Sequence, residues 1–144
     1  MDKDEQLKSV LSDVIYSGLD KEKREVITDE YKDITLNDMH ILDHVGIGVP
    51  KNMSAVAKGL KVTTGTLTIA VNNLVKKGYI FRERSEQDRR VVLVSLTEKG
   101  KRAYRHHEQF HEKMMKELIS IFEEAEIPVL LKALQKIQMF MQKE

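Results

Sequence analysis

The chain has 144 residues, of which 41% are apolar and 33% are charged, a length and balance that suit a single folded domain. It contains no cysteine, which excludes disulfides, thiolate nucleophiles and cysteine-based metal or redox sites. Its apolar runs fall short of the roughly 20 residues of a membrane span, and the first residues lack a signal-peptide pattern. We therefore expect a cytoplasmic protein that does not bind membranes.

Charge is segregated along the chain, although the net charge is only +1. Residues 51–105 hold 13 Lys or Arg against 4 Asp or Glu, whereas the remainder holds 11 against 19. A basic centre between acidic ends indicates that the middle of the chain faces a polyanion. Nucleic acid is the leading candidate, ahead of an anionic membrane surface or an acidic protein.

The first third of the chain predicts two helices. Residues 6–19 carry an amphipathic stripe that can pack against a core or a partner chain, and residues 20–33 suggest a frayed helix end or a loop. Thr35, followed three residues later by Asp38, predicts the capping box of a second helix. Gly46 and the glycine and proline that follow it predict the end of that helix.

The centre predicts two short helices and a hairpin. Ser54 is expected to cap a helix over residues 55–60, and Thr63 a second one that ends at Gly78. Residues 79–84 and 91–96 are β-prone, and the polar link between them predicts a hairpin. Two helices about three residues apart, followed by a hairpin, have the outline of a winged helix-turn-helix.

The last third predicts two more helices. Thr97 should cap a helix that runs to about residue 125, and Pro128 should lie in the first turn of a final helix that ends near Met141. The final helix has more apolar residues on one side than a free arm would carry.

The second central helix opens with four threonines and a glycine, all poor helix formers, yet Leu67 and Leu74 keep a helical period. Its other face presents hydroxyls, an amide and an ammonium, groups that can read base edges in a DNA major groove. Gly65 lets the backbone approach a phosphate, which the helix dipole favours. We expect base contacts from Thr64, Thr66, Thr68 and Asn72, and phosphate contacts from Lys51, Ser54, Lys58, Thr63 and Lys76.

The hairpin link offers a second DNA contact. Asp88 can hold a neighbouring guanidinium in place, which leaves Arg89 and Arg90 at the shoulder of the hairpin. Arginine is favoured for entering a narrow minor groove, so we expect the wing to contact DNA there.

The stretch MSAVAKGLKVTTGTLTIAVNNLVKKGYI and the wing DRRVVLVSLTEKG resemble the multiple-antibiotic-resistance regulator (MarR) family of winged helix-turn-helix repressors, over nearly the whole chain. The resemblance implies a mainly α fold with a small β wing. Residues 35–96 would form the DNA-binding region, and residues 1–34 and 97–144 the dimerisation region. It implies a homodimer on a near-palindromic double-stranded operator, and it assigns minor-groove contact to Arg90, oriented by Asp88. We expect no catalytic activity, cofactor or metal.

Within that family, VTTGTLTIAVNNLVKKGY together with AYRHHEQFHEKM is similar to the FabT-like branch of fatty-acid-synthesis repressors. This resemblance implies repression of fatty acid biosynthesis genes, with long-chain acyl-acyl carrier protein as co-repressor. The acyl chain would enter an apolar tunnel between the dimerisation helices and the DNA-binding domain. The apolar residues expected near this effector pocket are Val14, Ile15, Met39 and Leu42.

Histidines support two rival hypotheses. The run HEQFH at residues 107–111 matches the H-E-x-x-H zinc protease motif, but chance matches are common and no histidine follows residue 111. A zinc-responsive repressor of the same family, with metal ligands from His40, His44, His107 and His111, is the main alternative. A non-DNA interaction module that docks acidic partners is a further one, and it predicts sequence-blind attraction to DNA.

Overall fold

The computed structural model describes residues 2–143. Within this range the chain forms six α-helices, a 3₁₀ turn over Asp29–Tyr31 and a three-stranded antiparallel sheet. The expected mainly α fold with a β wing is therefore confirmed. The elements in chain order are α1 (Lys3–Val26), α2 (Leu36–Val45), β1 (Lys51–Asn52), α3 (Met53–Leu60), α4 (Thr64–Lys76), β2 (Ile80–Arg84), β3 (Val92–Leu96), α5 (Glu98–Ser120) and α6 (Glu126–Met141).

The chain divides into two compact units, one up to Phe110 and one from His111 onward, with the boundary inside α5. The core of the first unit is built by fully buried residues from α2, α3, α4, the sheet and the turn before β2: Met39, Leu42, Val45, Val56, Leu67, Val71, Leu74, Tyr79, Ile80 and Val94. Across residues 2–143, no helix combines the length and apolar character needed to cross a membrane.

Helix α1 is longer than its apolar stripe predicts. It continues through residues 20–26, where the sequence suggested a frayed end or loop. Two ion pairs spaced four residues apart support this extension, Asp20–Arg24 at 2.9 Å and Lys21–Glu25 at 3.1 Å. Val26 is wholly buried, so its packing stabilises this end of the helix in addition to the small stabilisation from the exposed ion pairs.

Helix α2 has the predicted ends. The Thr35 hydroxyl accepts a hydrogen bond from the Asp38 amide at 3.0 Å, and the Asp38 carboxylate accepts one from the Thr35 amide at 3.0 Å. This reciprocal pair is the expected capping box. Gly46, at φ 68°, ends the helix in a conformation that glycine adopts without strain.

Helix α3 begins before the predicted residue. Its N-cap is Asn52, whose Oδ1 accepts from the Ala55 amide at 2.7 Å, so the assignment of the cap to Ser54 was wrong. Asn52 also ends β1, which pairs with β3 and which the sequence did not reveal. A strand of two residues is too short to show alternation, and only its pairing with Leu93 and Val94 defines it.

Helix α4 and the wing follow the prediction closely. Thr63 caps α4, and Gly78, at φ 85°, lies just past its end. The Tyr79 amide donates to the Leu74 carbonyl at 2.9 Å and the Gly78 amide to the Val75 carbonyl at 3.1 Å, the pair of bonds of a Schellman motif. Each strand of the hairpin begins one residue later than predicted.

Helix α5 is docked onto the end of α4 by the segment after β3. The Thr97 hydroxyl accepts from the Gly100 amide at 3.1 Å and donates to the Gly78 carbonyl. A Cβ on Gly100 would lie 2.1 Å from the Tyr79 carbonyl oxygen, so only glycine fits this contact. These bonds give the LTEKG motif a physical role in fixing the start of α5 beside the end of α4.

The second unit differs from the prediction in where α5 ends. The helix stops at Ser120, about five residues early, and the Glu126 carboxylate accepts from the Glu123 amide at 2.8 Å in the turn that follows. Helix α6 then carries Pro128 in its first turn and ends at Met141, as predicted. Its exposed apolar residues include Leu131, Leu134, Ile137 and Met141.

Candidate nucleic-acid interface

Helix α4 presents one polar line and buries the opposite face. Leu67, Val71 and Leu74 are buried against the core. The other face carries Thr64, Thr68, Asn72 and Lys76, none of which is buried. The structure therefore brings three of the four predicted base contacts, Thr64, Thr68 and Asn72, together on one surface, as their spacing of four residues requires. Thr66, two residues after Thr64, lies off this line.

Hydroxyls also stabilise the start of this helix. Thr63 accepts from the Thr66 amide at 3.2 Å, and its hydroxyl proton goes to the Thr66 oxygen at 2.9 Å. The Thr68 hydroxyl donates to the Thr64 carbonyl at 2.7 Å. Because the proton of Thr68 is used within the helix, its oxygen and methyl are the groups left to meet DNA.

Arg82 is a functional candidate that sequence reasoning missed. It lies on β2, and its Nη1 donates to the side-chain oxygen of Asn72 on α4. Strand alternation could have indicated this residue. Arg82 lies two residues after the buried Ile80, so its side chain must point to the same face of the sheet.

The wing holds its arginines in defined positions. The Asp88 carboxylate accepts two hydrogen bonds from the Arg90 guanidinium, at 3.0 and 3.1 Å, and one from the Arg90 amide at 3.1 Å. These bonds to Arg90 lower the pKa of Asp88 and keep it ionised. Arg84 donates to the Arg89 carbonyl at 2.8 Å, which fixes the other side of the loop. The predicted pairing of Asp88 with a neighbouring guanidinium is present, and the Arg90 side chain is 90% exposed.

An open cleft of about 720 Å³ lies between the start of α4 and the wing. Three arginines and a single glutamate make it electropositive. Its polar walls come from Asn52, Ser54, Thr64, Thr68, Arg82, Glu83, Arg84 and Arg90. Two of the predicted base contacts, Thr64 and Thr68, thus border the same concave surface as Arg90 of the wing.

Of the residues predicted to contact phosphate, Ser54 lines this cleft. Ser54, Lys58 and Lys76 are exposed, as is Gly65, whose missing Cβ would meet nothing within 4 Å. Lys51 is also exposed, but its ammonium donates to the His44 carbonyl at 3.0 Å at the end of α2. Lys51 must leave this carbonyl, or share its protons, in order to reach a phosphate.

The four residues of the expected effector pocket occupy two different environments. Met39 and Leu42 are wholly buried in the core of the first unit. Val14 and Ile15 lie on an exposed face of α1, with 63% and 49% of their surface accessible. The pocket therefore stays a prediction about the assembled molecule.

Two of the predicted metal-binding histidines meet around a shared carboxylate. His107 is buried, and its Nε2 lies 2.6 Å from Glu22 Oε1, while its Nδ1 lies 2.7 Å from Asp43 Oδ2. His40 Nε2 also approaches Glu22 Oε1, at 3.2 Å. We refer to Glu22, His40, Asp43 and His107 as the buried histidine cluster; it links α1, α2 and α5.

Both ring nitrogens of His107 face carboxylates, a setting that favours the doubly protonated imidazolium. Burial alone would lower the pKa of His107, but the hydrogen bonds to Asp43 and Glu22 outweigh it and raise that pKa. Burial would likewise raise the pKa of Glu22, but the bonds from His107 and His40 lower it. Zinc binds the neutral imidazole, so a metal ion at this position would have to displace a proton from His107.

His44 is directed away from that cluster. Its Nδ1 donates to the His40 carbonyl at 2.9 Å, and its ring packs against Gly59 on α3, where an added Cβ would lie 2.9 Å from Cδ2. The zinc hypothesis needs His40 and His44 to bind metal as a pair. In the structure the His40 ring faces Glu22, whereas the His44 ring faces the His40 carbonyl and Gly59.

An exposed helix face of hydroxyl and amide groups, bordered by an arginine-bearing wing, defines a winged-helix protein of the nucleic-acid-binding class. Residues 22–106 match the family model of the transcriptional regulators SarA/Rot. The chain therefore belongs to the winged-helix transcriptional regulators of the SarA/Rot and MarR-like type, a family of DNA-binding proteins.

Two solved structures and one curated relative show the extent of the similarity. FabT of Streptococcus pneumoniae, solved in complex with DNA, is 38% identical, with a TM-score of 0.90 and 96% of each chain covered. A MarR-like regulator of Thermotoga maritima is 26% identical, with a TM-score of 0.69, over 100% of this chain and 99% of that one. The uncharacterized regulator YhjH of Bacillus subtilis is 26% identical over 62% of this chain, and the match spans only about half, 51%, of YhjH.

Proposed function

We propose that this chain is a homodimeric repressor of fatty acid biosynthesis genes that binds a near-palindromic operator. The observation that carries the proposal is the open, electropositive cleft that Thr64 and Thr68 of the polar line share with the arginines of the wing. The similarity to FabT over 96% of both chains supports the choice of genes.

In the proposed complex, the N-terminal end of α4 enters the major groove. Thr64, Thr66, Thr68 and Asn72 contact base edges there, and Gly65 allows the backbone of the first turn to approach a phosphate. Phosphates are held by Lys51, Ser54, Lys58, Thr63 and Lys76, and Arg90 enters the minor groove with Asp88 and Arg89 shaping the wing.

Exposed apolar faces support the homodimer. Helix α1 exposes Leu7, Val10, Leu11, Val14, Ile15 and Leu19, each with at least 40% of its surface accessible. Helix α6, in the second unit, exposes Leu131, Leu134, Val129 and Phe140 to a similar degree. Such faces on a small protein mark an association surface, and two-fold symmetry would set the two α4 helices about 34 Å apart, one turn of DNA.

Long-chain acyl-acyl carrier protein is the co-repressor in this proposal. The apolar side chains of Val14, Ile15, Met39 and Leu42 would line the tunnel for the acyl chain, and the acidic carrier would dock on part of the basic surface. The effector can change the affinity of the dimer for DNA only to the extent that it binds the two conformations of the dimer with different affinities.

The test is to incubate the purified protein with fragmented genomic DNA of its own organism at physiological salt, with and without acyl carrier thioester, and to sequence the retained fragments. Retention of a short near-palindrome upstream of fatty acid synthesis genes supports the proposal. A palindrome upstream of zinc uptake genes would instead favour the zinc-responsive alternative. Diffuse retention in both conditions would contradict a sequence-specific repressor and favour the interaction module.

A further inference from the structure

Arg82 is held beside the base-contacting line of α4 by the geometry of the sheet. It lies opposite Val94 in the pairing of β2 with β3, and Ile80 on the same face of β2 is buried. Alternation along the strand therefore directs Arg82 towards α4, where its Nη1 donates to the Asn72 side chain.

The chemistry of the guanidinium decides the orientation of the amide. Arginine carries only donors, so it can face only the amide oxygen of Asn72 and not its NH₂ group. The NH₂ group of Asn72 must then point away from Arg82. The positive charge beside the oxygen also disfavours the approach of a second donor, such as the N6 amino group of adenine.

We infer that Arg82 is a positioning residue that fixes the amide of Asn72 so that its NH₂ group is the one offered to DNA. This inference rests on the proposed function, because it assumes that Asn72 reads a base edge. An asparagine that is free to rotate pairs best with adenine, which presents an acceptor and a donor together. An asparagine whose oxygen is occupied donates only, and guanine, with acceptors at N7 and O6, becomes its preferred base.

The experiment measures binding to an operator series in which every position carries each of the four base pairs in turn. The wild-type chain should prefer guanine over adenine at one position of each half-site by about tenfold. Arg82→Ala should reduce this ratio to near one or reverse it, and leave the preferences at all other positions unchanged. Asn72→Ala should abolish the preference, and adding Arg82→Ala to it should change nothing further.

Arg84→Ala is the matched control. Arg84 lies on the same strand and the same face as Arg82, but its Nη1 donates to the Arg89 carbonyl in the wing. Its loss should weaken binding through the wing and leave the ratio of guanine to adenine unchanged. A readout without DNA is the side-chain NH₂ resonance of Asn72, which should shift in Arg82→Ala and not in Arg84→Ala.

Two results would overturn the inference. One is a loss of affinity in Arg82→Ala that is equal at every base, with a salt slope lower by about one unit, because Arg82 would then be a phosphate contact. The other is an adenine preference in the wild-type chain. If the wild-type chain shows no base preference at any position, the proposed function itself fails. The operator series thus distinguishes failure of the proposed function from failure of the inferred role of Arg82.

Discussion

The threonine hydroxyls at the start of α4 fall into two groups, one that stabilises the helix and one that faces the cleft. Thr63 and Thr66 bond to each other and to the backbone, so they hold the first turn in place. Thr64 and Thr68 stand on the line that faces the cleft with Arg82 and Arg90. A helix with so many poor helix formers is costly for the free protein, and the proposed DNA contact would account for that composition.

Gly65→Ala should separate folding from DNA binding. A Cβ at this position meets nothing within 4 Å, so the free protein should keep its stability or gain up to about 1 kcal/mol from the better helix former. The same Cβ would stand between the backbone and a phosphate, so operator affinity should fall. Thermal unfolding and operator titration measure the two effects, and unchanged affinity would mean that no phosphate approaches Gly65.

Arg90→Ala should weaken binding most on operators with A·T-rich flanks, where the minor groove is narrow and attracts arginine. The comparison is Asp88→Asn, which keeps Arg90 but weakens the two bonds that orient it, and which should cause a smaller loss at the same flanks. Affinities measured on duplexes that differ only in their flanks provide the test. Equal loss on every flank would exclude a minor-groove role for Arg90.

Local patterns made most of the site predictable at this scale. The polar line of α4 repeats every four residues, and Asp88 lies two residues from its partner Arg90, so both could be recognised within a short stretch of sequence. The contact of Arg82 with Asn72 depends on how β2 packs against α4. That packing is tertiary, and the sequence does not specify which polar residue of the strand meets which turn of the helix.

At the scale of elements, the buried histidine cluster joins helices that are far apart in the chain. His107 of α5 pairs with Glu22 of α1, 85 residues away, and with Asp43 of α2. Its neighbour His106 donates to the Val26 carbonyl at 3.0 Å and packs its ring against Tyr31. These contacts explain the histidine run of α5 as the means by which α5 is fixed to α1 and α2.

The cluster should make the stability of the fold depend on pH in a defined direction. His107 has a raised pKa in the folded chain, so its contribution is fully present below its unfolded value of 6.5 and is lost as the pH rises through the folded value. Glu22 has a lowered pKa, so its contribution is present above 4.5 and is lost as the pH falls through the folded value. The combined stabilisation of the fold by His107 and Glu22 is therefore largest between pH 4.5 and pH 6.5.

His107→Leu leaves two carboxylates without their buried partner and should lower the free energy of unfolding by about 3 kcal/mol or more. The difference from the wild-type chain should shrink as the pH rises above 6.5. Denaturant titrations of both proteins at several pH values, at one protein concentration, measure this. A difference that does not change with pH would show that His107 contributes by packing alone.

Gly100→Ala should be strongly destabilising, although alanine is the better helix former. The added Cβ would lie 2.1 Å from the Tyr79 carbonyl oxygen, a backbone atom that cannot move without breaking the junction of α4 and β2. Gly59→Ala is the comparison, because its Cβ would meet the side chain of His44 at 2.9 Å, and a side chain can turn aside. If the two variants unfold at the same temperature, the Gly100 contact is not rigid.

Some helix ends were predictable because their signals lie within a few residues. Thr35, Thr63 and Gly78 act at the ends that the sequence assigned to them. The cap of α3 was assigned wrongly because both Ser54 and Asn52 are good N-caps, and only the pairing of β1 with β3 selects Asn52. The long-range partners of His107 had no local signal at all.

At the scale of the whole molecule, the exposed apolar faces of α1 and α6 are the features that a single chain leaves unsatisfied. Leu11→Glu on α1 should produce monomers, because both copies of the introduced charge would lie in the interface of a two-fold symmetric dimer. Operator affinity should fall to that of one half-site. Sedimentation equilibrium with operator titration tests this, and Ser9→Glu, at an exposed polar position of the same helix, is the control. A dimeric Leu11→Glu variant would exclude α1 from the interface.

The central claim is sequence-specific binding by α4 and the wing, and the most direct measurement compares two duplexes at physiological salt. One carries the near-palindrome recovered from genomic DNA, and the other has the same length and base composition in shuffled order. We expect the wild-type chain to bind the palindrome at least about 1,000-fold more tightly. Equal affinity for the two duplexes would contradict the account, because the basic surface would then attract DNA by charge alone.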